Sequence, residues 1–193
     1  MNQSPQALNI LDCLESMPFK APPHWQQLIR SVSEKEIGDV GEWYVASELQ
    51  RRGLDTVHFG GSNKGFDLEV VGFKGVPLTK FLRIEVKVDR NKQHIRDTWG
   101  SWHSPAATLA FGFEYIVMMN LNVGFQIHII PRVSVERTVY RHANGSHYSF
   151  RFGVTDDTDR RDVGLLIDGK RFSGAWSLIY DHVVRLDHRI DPS

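Results

Sequence analysis

The sequence predicts an α/β fold, a central mixed sheet flanked by helices, and three observations predict it. A stretch from Ser33 to Arg52 has helical periodicity. Segments that alternate apolar and polar residues follow over 66–71 and 81–88. Two apolar runs, EYIVMMNL (114–121) and FQIHII (125–130), then read as strands joined by a short Asn122-Val123-Gly124 turn. Helices and strands in this succession belong to layered α/β architectures.

The helix has both of its end signals. Ser33 with Glu36 three residues later forms a capping-box pattern, and Gly53 supplies the stop. Ile37, Val40, Tyr44, Val45 and Leu49 make its buried stripe, and Glu42 lies on the border of that stripe, facing the sheet. Upstream, Leu8, Leu11 and Leu14 sit at helical spacing, FKAPP (19–23) breaks the chain, and a short helix over 24–32 completes an N-terminal helical arm, 1–33. The main domain then spans 34–193, with a core over about 34–133 and a C-terminal extension over 134–193. In the extension, Asn144-Gly145 between 138–141 and 147–152 is a strong hairpin signal. Asp168-Gly169 is a second, and an apolar segment runs over 175–186. These β-hairpin additions are expected to extend or cover an edge of the sheet.

Composition narrows the function classes. Hydrophobic residues are 41% and aromatics 11% of 193 residues, enough to fill the core of one domain with an added arm. Basic and acidic residues cancel at 23 each, which argues against indiscriminate coating of DNA but not against one positive face. A lone Cys13 excludes an intrachain disulfide and argues against a zinc cluster. No run has the length of a bilayer span, and MNQSPQALNI lacks the basic and apolar regions of a signal peptide, so the expectation is a cytoplasmic protein with no membrane partner. No G-x-S-x-G elbow, P-loop or dinucleotide fingerprint occurs. Asp156, Asp157, Asp159 and Asp162 read as a solvated loop, because Arg161 falls where a calcium ligand should be.

The chemistry-bearing stretch is FDLEVVGFKGVPLTKFLRIEVKV, 66–88. Strand alternation sends Leu82, Ile84, Val86 and Val88 into the core and Arg83, Glu85 and Lys87 to the other face. Asp67, from the preceding strand, can come beside Glu85. Mg²⁺ takes a few carboxylate oxygens and keeps several waters. Asp67 and Glu85 would supply those oxygens, with the Val86 backbone carbonyl on the same strand. Lys87 would orient an attacking water and stabilise charge on the phosphate, and Glu42 would hold a metal-bound water or a second ion. Mn²⁺ is expected to substitute. Glu-x-Lys alone is a weak signal, since surface ion pairs look the same. The ordered set is the motif: an acidic helix, a Gly-x-Asp turn into a strand, then a Glu-x-Lys strand.

Through GEWYVASELQRRG (41–53), GSNKGFDLEVVG (61–72) and RIEVKV (83–88), the chain resembles the PD-(D/E)xK, or restriction-endonuclease-like, nuclease superfamily. The likeness is greatest to the branch of Holliday-junction resolvases and Mrr-type restriction enzymes, and it covers about residues 34–133 with the IIPR segment (129–132). The functional glutamate, aspartate and Glu-x-Lys pair of that family match Glu42, Asp67, Glu85 and Lys87. Phe66 stands where the superfamily's name has proline. The resemblance implies a Mg²⁺-dependent endonuclease acting on double-stranded or branched DNA, in a restriction-endonuclease-like fold.

Substrate contacts are expected from VDRNKQHIRDTWGSWHSP (88–105). Arg90, Lys92, His94 and Arg96 would meet phosphates, and Trp99 and Trp102 would stack on bases or, equally, fill the core. Asn63 and Lys64, in a Gly-rich loop before Asp67, are further candidates, with a simple turn as the plain alternative. Glu69 is a reserve ligand or an exposed strand residue, and His128 an ordinary strand position. A homodimer through the N-terminal arm would serve to cut two strands. Two other readings stand beside this one: a non-cleaving nucleic-acid-binding or assembly protein of the same fold, and an RNA-cutting nuclease.

Overall fold

The computed structural model describes residues 31–59, 65–89, 99–105, 112–121, 126–138, 140–141, 147–153, 166–168 and 172–187. Helix α1 (Glu34–Arg51) begins as its sequence predicts, with the reciprocal Ser33–Glu36 capping box formed. Its end is closed by Gly53 at φ +80°. Strand β1 (Leu54–His58) follows at once and pairs antiparallel with β2 (Leu68–Phe73). The sequence reading assigned no strand there, because LDTVH has no clean alternation between exposed and buried positions.

Strand β2 turns back into β3 (Val76–Asp89) through Lys74 and Gly75, whose φ values of 48° and 80° are those of a tight hairpin turn. The turn is therefore shorter, and β3 longer, than the alternating segments over 66–71 and 81–88 suggest. Asp55 explains why: its Oδ2 accepts a hydrogen bond from the Gly75 N–H (2.8 Å) and lies where a Cβ on Gly72 would fall. Strand β3 runs on to pair in parallel with β5 (Tyr115–Asn120), which pairs antiparallel with β6 (Gln126–Pro131). The result is a five-stranded mixed sheet ordered β1-β2-β3-β5-β6, with β3 at its centre.

Parallel neighbours need a crossover, and the chain between β3 and β5 includes β4 (Trp99–Pro105). This strand belongs to a second sheet with β7 (Tyr140–Arg141), β8 (His147–Gly153) and β9 (Leu166–Asp168). The C-terminal strands thus build a sheet of their own instead of extending the first. At the β6 edge an isolated bridge pairs Ser173 with His128, and the Gly174 N–H donates to Ile127 O (2.9 Å). Helix α2 (Arg132–Thr138) separates β6 from β7, and the apolar segment over 175–186 is a helix, α3 (Ser177–Leu186).

Alternation gives the five-stranded sheet two apolar faces. On one, Leu68, Val70, Leu82, Ile84, Val86, Val117 and Met119 pack with Val45, Ala46 and Leu49 of α1 and with Ile179 and Val183 of α3. On the other, Ile116, Met118 and Ile130 pack with Val135 of α2, Phe66 and Phe172. Gly41 sets how close α1 comes: a Cβ there would fall 2.3 Å from Val88 Cγ2 and 3.2 Å from Met119 Sδ. Among the described residues no helix is long and apolar enough to cross a membrane.

Candidate active site

Asp67 stands just before β2, in line with the pairs Leu68–Ile84 and Glu69–Arg83, so it falls opposite Glu85. Its own N–H donates to Ile84 O (2.9 Å), and its Oδ2 accepts from the Val86 N–H (2.7 Å). Glu85 and Lys87 project from β3 on the face away from α1, beside Ile116 and Met118. Glu85 is 3% exposed, much less than a charged row on a half-buried strand suggests. Its Oε1 forms an ion pair with Lys87 Nζ. Glu42 reaches the same place from α1, one residue beyond the Gly41 contact, and is buried.

His58, at the end of β1, was not legible as a site residue in the sequence. Its Nε2 lies 2.5 Å from Glu42 Oε2, and its ring rests against Trp43 with centroids 4.8 Å apart. Neither a motif nor a spacing marked it. Recognising β1 as a strand beside the Asp67 segment would have been the signal.

The carboxylates disturb one another. Burial lifts Glu42 above the ordinary carboxylate range, the Asp67 charge lifts it further, and the contact with His58 opposes both. Burial likewise raises Asp67, against the pull of Lys87 and the Val86 N–H. Glu85 is raised by burial and by the charges of Asp67 and Glu42, with Lys87 opposing. Burial alone would lower Lys87, but Glu85, Asp67 and Glu42 outweigh it and raise its pKa. The cluster therefore holds three acids with raised pKa values beside an amine whose cationic form is favoured.

Glu69 is neither exposed nor turned to this cluster. It is buried and pairs with Arg83 Nε at 3.1 Å, so its charge is already compensated. His128 is a fully buried position of β6, as its strand context suggested. Trp99 and Trp102 lie on β4 of the second sheet. Asn63, Lys64, Arg90, Lys92, His94 and Arg96 lie outside the described residues, as do the arm over 1–30, the Asn144-Gly145 turn and the acidic run over 156–162.

No family model matches the chain, and no curated protein matches it. Among solved structures it is similar to I-Ssp6803I, a bacterial homing endonuclease, at 17% identity and a TM-score of 0.49, over 78% of this chain and 94% of that one. It is also similar to Hjc of Archaeoglobus fulgidus, a Holliday junction resolvase from an archaeal hyperthermophile, at 15% identity and a TM-score of 0.39, over 59% of this chain and 83% of that one. The chain's own topology is what defines its architecture. Helix α1, β2 led by Asp67, a central Glu-x-Lys β3 and a parallel β5 give it the α/β architecture that the sequence predicts, a five-stranded mixed sheet flanked by helices.

Proposed function

We propose that the chain is a divalent-cation-dependent endonuclease that hydrolyses phosphodiester bonds in DNA by direct attack of water. One observation carries the reading: Glu42, Asp67 and Glu85 come from three separate segments to one place, where the charge of Asp67 raises the pKa of Glu42 and the charges of Asp67 and Glu42 raise that of Glu85, with Lys87 paired to Glu85. Such an arrangement costs the fold stability unless a cation or a substrate uses it.

The donor set fits a hard cation. Among the described residues no three His, Cys, Asp or Glu side chains converge on one point. Mg²⁺ does not require that, since one or two carboxylates usually hold it, with waters and substrate phosphate completing the shell. Asp67 and Glu85 would be those carboxylates, and Mn²⁺ suits the same oxygen donors. The N–H and C=O of a strand residue face the same neighbour. The Val86 carbonyl therefore faces the side on which Asp67 stands, beyond the start of β2, and is available as a further ligand. When bound, the cation supplies charge that lowers the pKa of water and polarises the phosphate.

The chain's own groups do the rest. Lys87 orients the attacking water and stabilises negative charge as it builds on the phosphate. The Val86 N–H keeps the Asp67 carboxylate turned into the site, and His58 does the same for Glu42. No serine or cysteine nucleophile takes part, so no covalent intermediate forms.

The test is cleavage of plasmid and branched DNA by wild type, Lys87→Ala and Asp67→Asn, each with Mg²⁺, Mn²⁺ or EDTA. Cutting that needs the cation and is lost in both variants is the expected result. Activity surviving both variants, or no cutting and no cation binding by wild type, would overturn the reading. Dimerisation, which would serve double-strand cutting, is checked by light scattering, where a concentration-independent monomer mass would exclude it.

A further inference from the structure

A second set of groups lines up beside the carboxylates on the same face of the sheet. The Phe59 N–H donates to Asp67 O (3.0 Å), which sets Phe59 directly next to Asp67 across the β1–β2 pair. Its ring meets Phe66 edge to face, with centroids 5.3 Å apart and an interplanar angle of 77°. Arg83 lays its guanidinium over the other ring, Cζ 4.8 Å from the Phe66 centroid, and turns its Nε to Glu69. Phe66 is buried, whereas Phe59 stays 38% exposed and the Arg83 side chain 45% exposed.

We propose that Phe59, Phe66 and Arg83 form a nucleotide-binding shelf, on which Phe59 stacks with an unpaired base and Arg83 takes a backbone phosphate of the strand entering the site. This rests on the nuclease reading above and adds to it a substrate class, nucleic acid with single-stranded character next to the scissile bond.

The chemistry suits that ligand. An exposed aromatic face offers a sequence-tolerant platform for a base, and a base can use it only when it is out of the duplex stack. A guanidinium already held on a ring and by Nε loses little freedom when its remaining N–H groups take a phosphate. The spacing agrees as well. Arg83 and Glu85 are two strand residues apart on one face of β3, about 6.6 Å, so a strand that meets the carboxylates also comes within reach of the Arg83 guanidinium.

The experiment measures binding of the full-length protein to a short fluorescein-labelled single-stranded DNA and to the same sequence as a blunt duplex. It is done with Mg²⁺ present and in a Lys87→Ala background that holds cleavage back. Phe59→Leu should weaken single-strand binding about 5- to 100-fold with an unchanged melting temperature, and Phe59→Trp should restore it. Arg83→Gln should weaken it as well and reduce the salt slope by about one counterion. Duplex binding should be weaker than single-strand binding and should change little in the Phe59 variants. If the parent binds neither DNA, the nuclease reading itself fails. If the parent binds and both Phe59→Leu and Arg83→Gln bind as tightly, the shelf alone is refuted. Equal losses on single strand and duplex would overturn the stacking role.

Discussion

Helix α1 buries two glutamates, Glu42 near its middle and Glu48 one turn before its end, with 8% and 6% exposure. Glu48 is answered from its own helix end: Arg51 and Arg52 both pair with its carboxylate, and Arg52 also lies over the Trp176 ring that leads into α3. Glu42 is answered by His58 and faces the charges of Asp67 and Glu85. One helix thus carries a buried acid whose charge is compensated and a buried acid placed among its like. The first ties the end of α1 to α3. The second is the arrangement that the proposed cation site would use, and burial by itself does not tell the two apart.

The comparison is broken most directly by catalysis. Lys87→Ala is expected to lower DNA cleavage by about 10²- to 10³-fold, and Glu42→Gln by about 10- to 100-fold, whereas Glu48→Gln should leave turnover unchanged. Loss of activity in Glu48→Gln at a preserved melting temperature would erase the distinction. Gly41→Ala tests how Glu42 is placed. The new methyl would meet Val88 and Met119, so α1 must back away. A stability loss of about 1–3 kcal/mol and a fall in turnover larger than in the cation-free melting temperature would be expected.

Stability separates the two glutamates with opposite signs. Glu48→Gln removes the partner of two arginines and should cost about 1–2 kcal/mol, discounted because both arginines are partly exposed. Glu42→Gln or Asp67→Asn removes a charge the folded chain disfavours and should raise the cation-free melting temperature at neutral pH. The same shifts fix a pH dependence. The folded pKa values of Glu42, Asp67 and Glu85 lie above their ordinary values. The folded chain therefore binds more protons than the unfolded one in that window, and stability contributed by these groups falls as pH rises through it. Melting curves in EDTA should show this decline for wild type and a weaker one for Asp67→Asn. Mg²⁺ should restore stability toward neutral pH, because it competes with those protons. The smallest effect is expected at the helix end, where Trp176→Leu forfeits an Arg52–ring contact of about 0.5–1 kcal/mol together with some packing, visible as a small fall in the melting temperature.

The two buried glutamates also measure how far sequence reasoning reaches. Helix α1 was legible from end to end because its signals are local: a Ser33–Glu36 box, a 3.6-residue stripe and a glycine at the stop. The strand that follows Asp67 and the strand carrying Glu85 were legible because a half-buried strand must alternate, as Leu82, Ile84 and Val86 do. Strand β1, His58 and the burial of Glu69 were not, since each depends on a partner far along the chain. Nothing in LDTVH announces that His58 will meet Glu42, and nothing in Glu69 announces Arg83.

By itself, then, the sequence determined the type of fold, the ends of its main helix, the faces of its central strand and the residue types of the candidate site. These follow from periodicity and capping, which act over a few residues. Tertiary structure alone decided that Glu42 and Glu48 have opposite surroundings, that β4 belongs to a second sheet, and that Phe59 stands beside Asp67 with Arg83 over the Phe66 ring. Those outcomes rest on strand register and on the close approach that Gly41 permits, and both are set by contacts between residues distant in the chain.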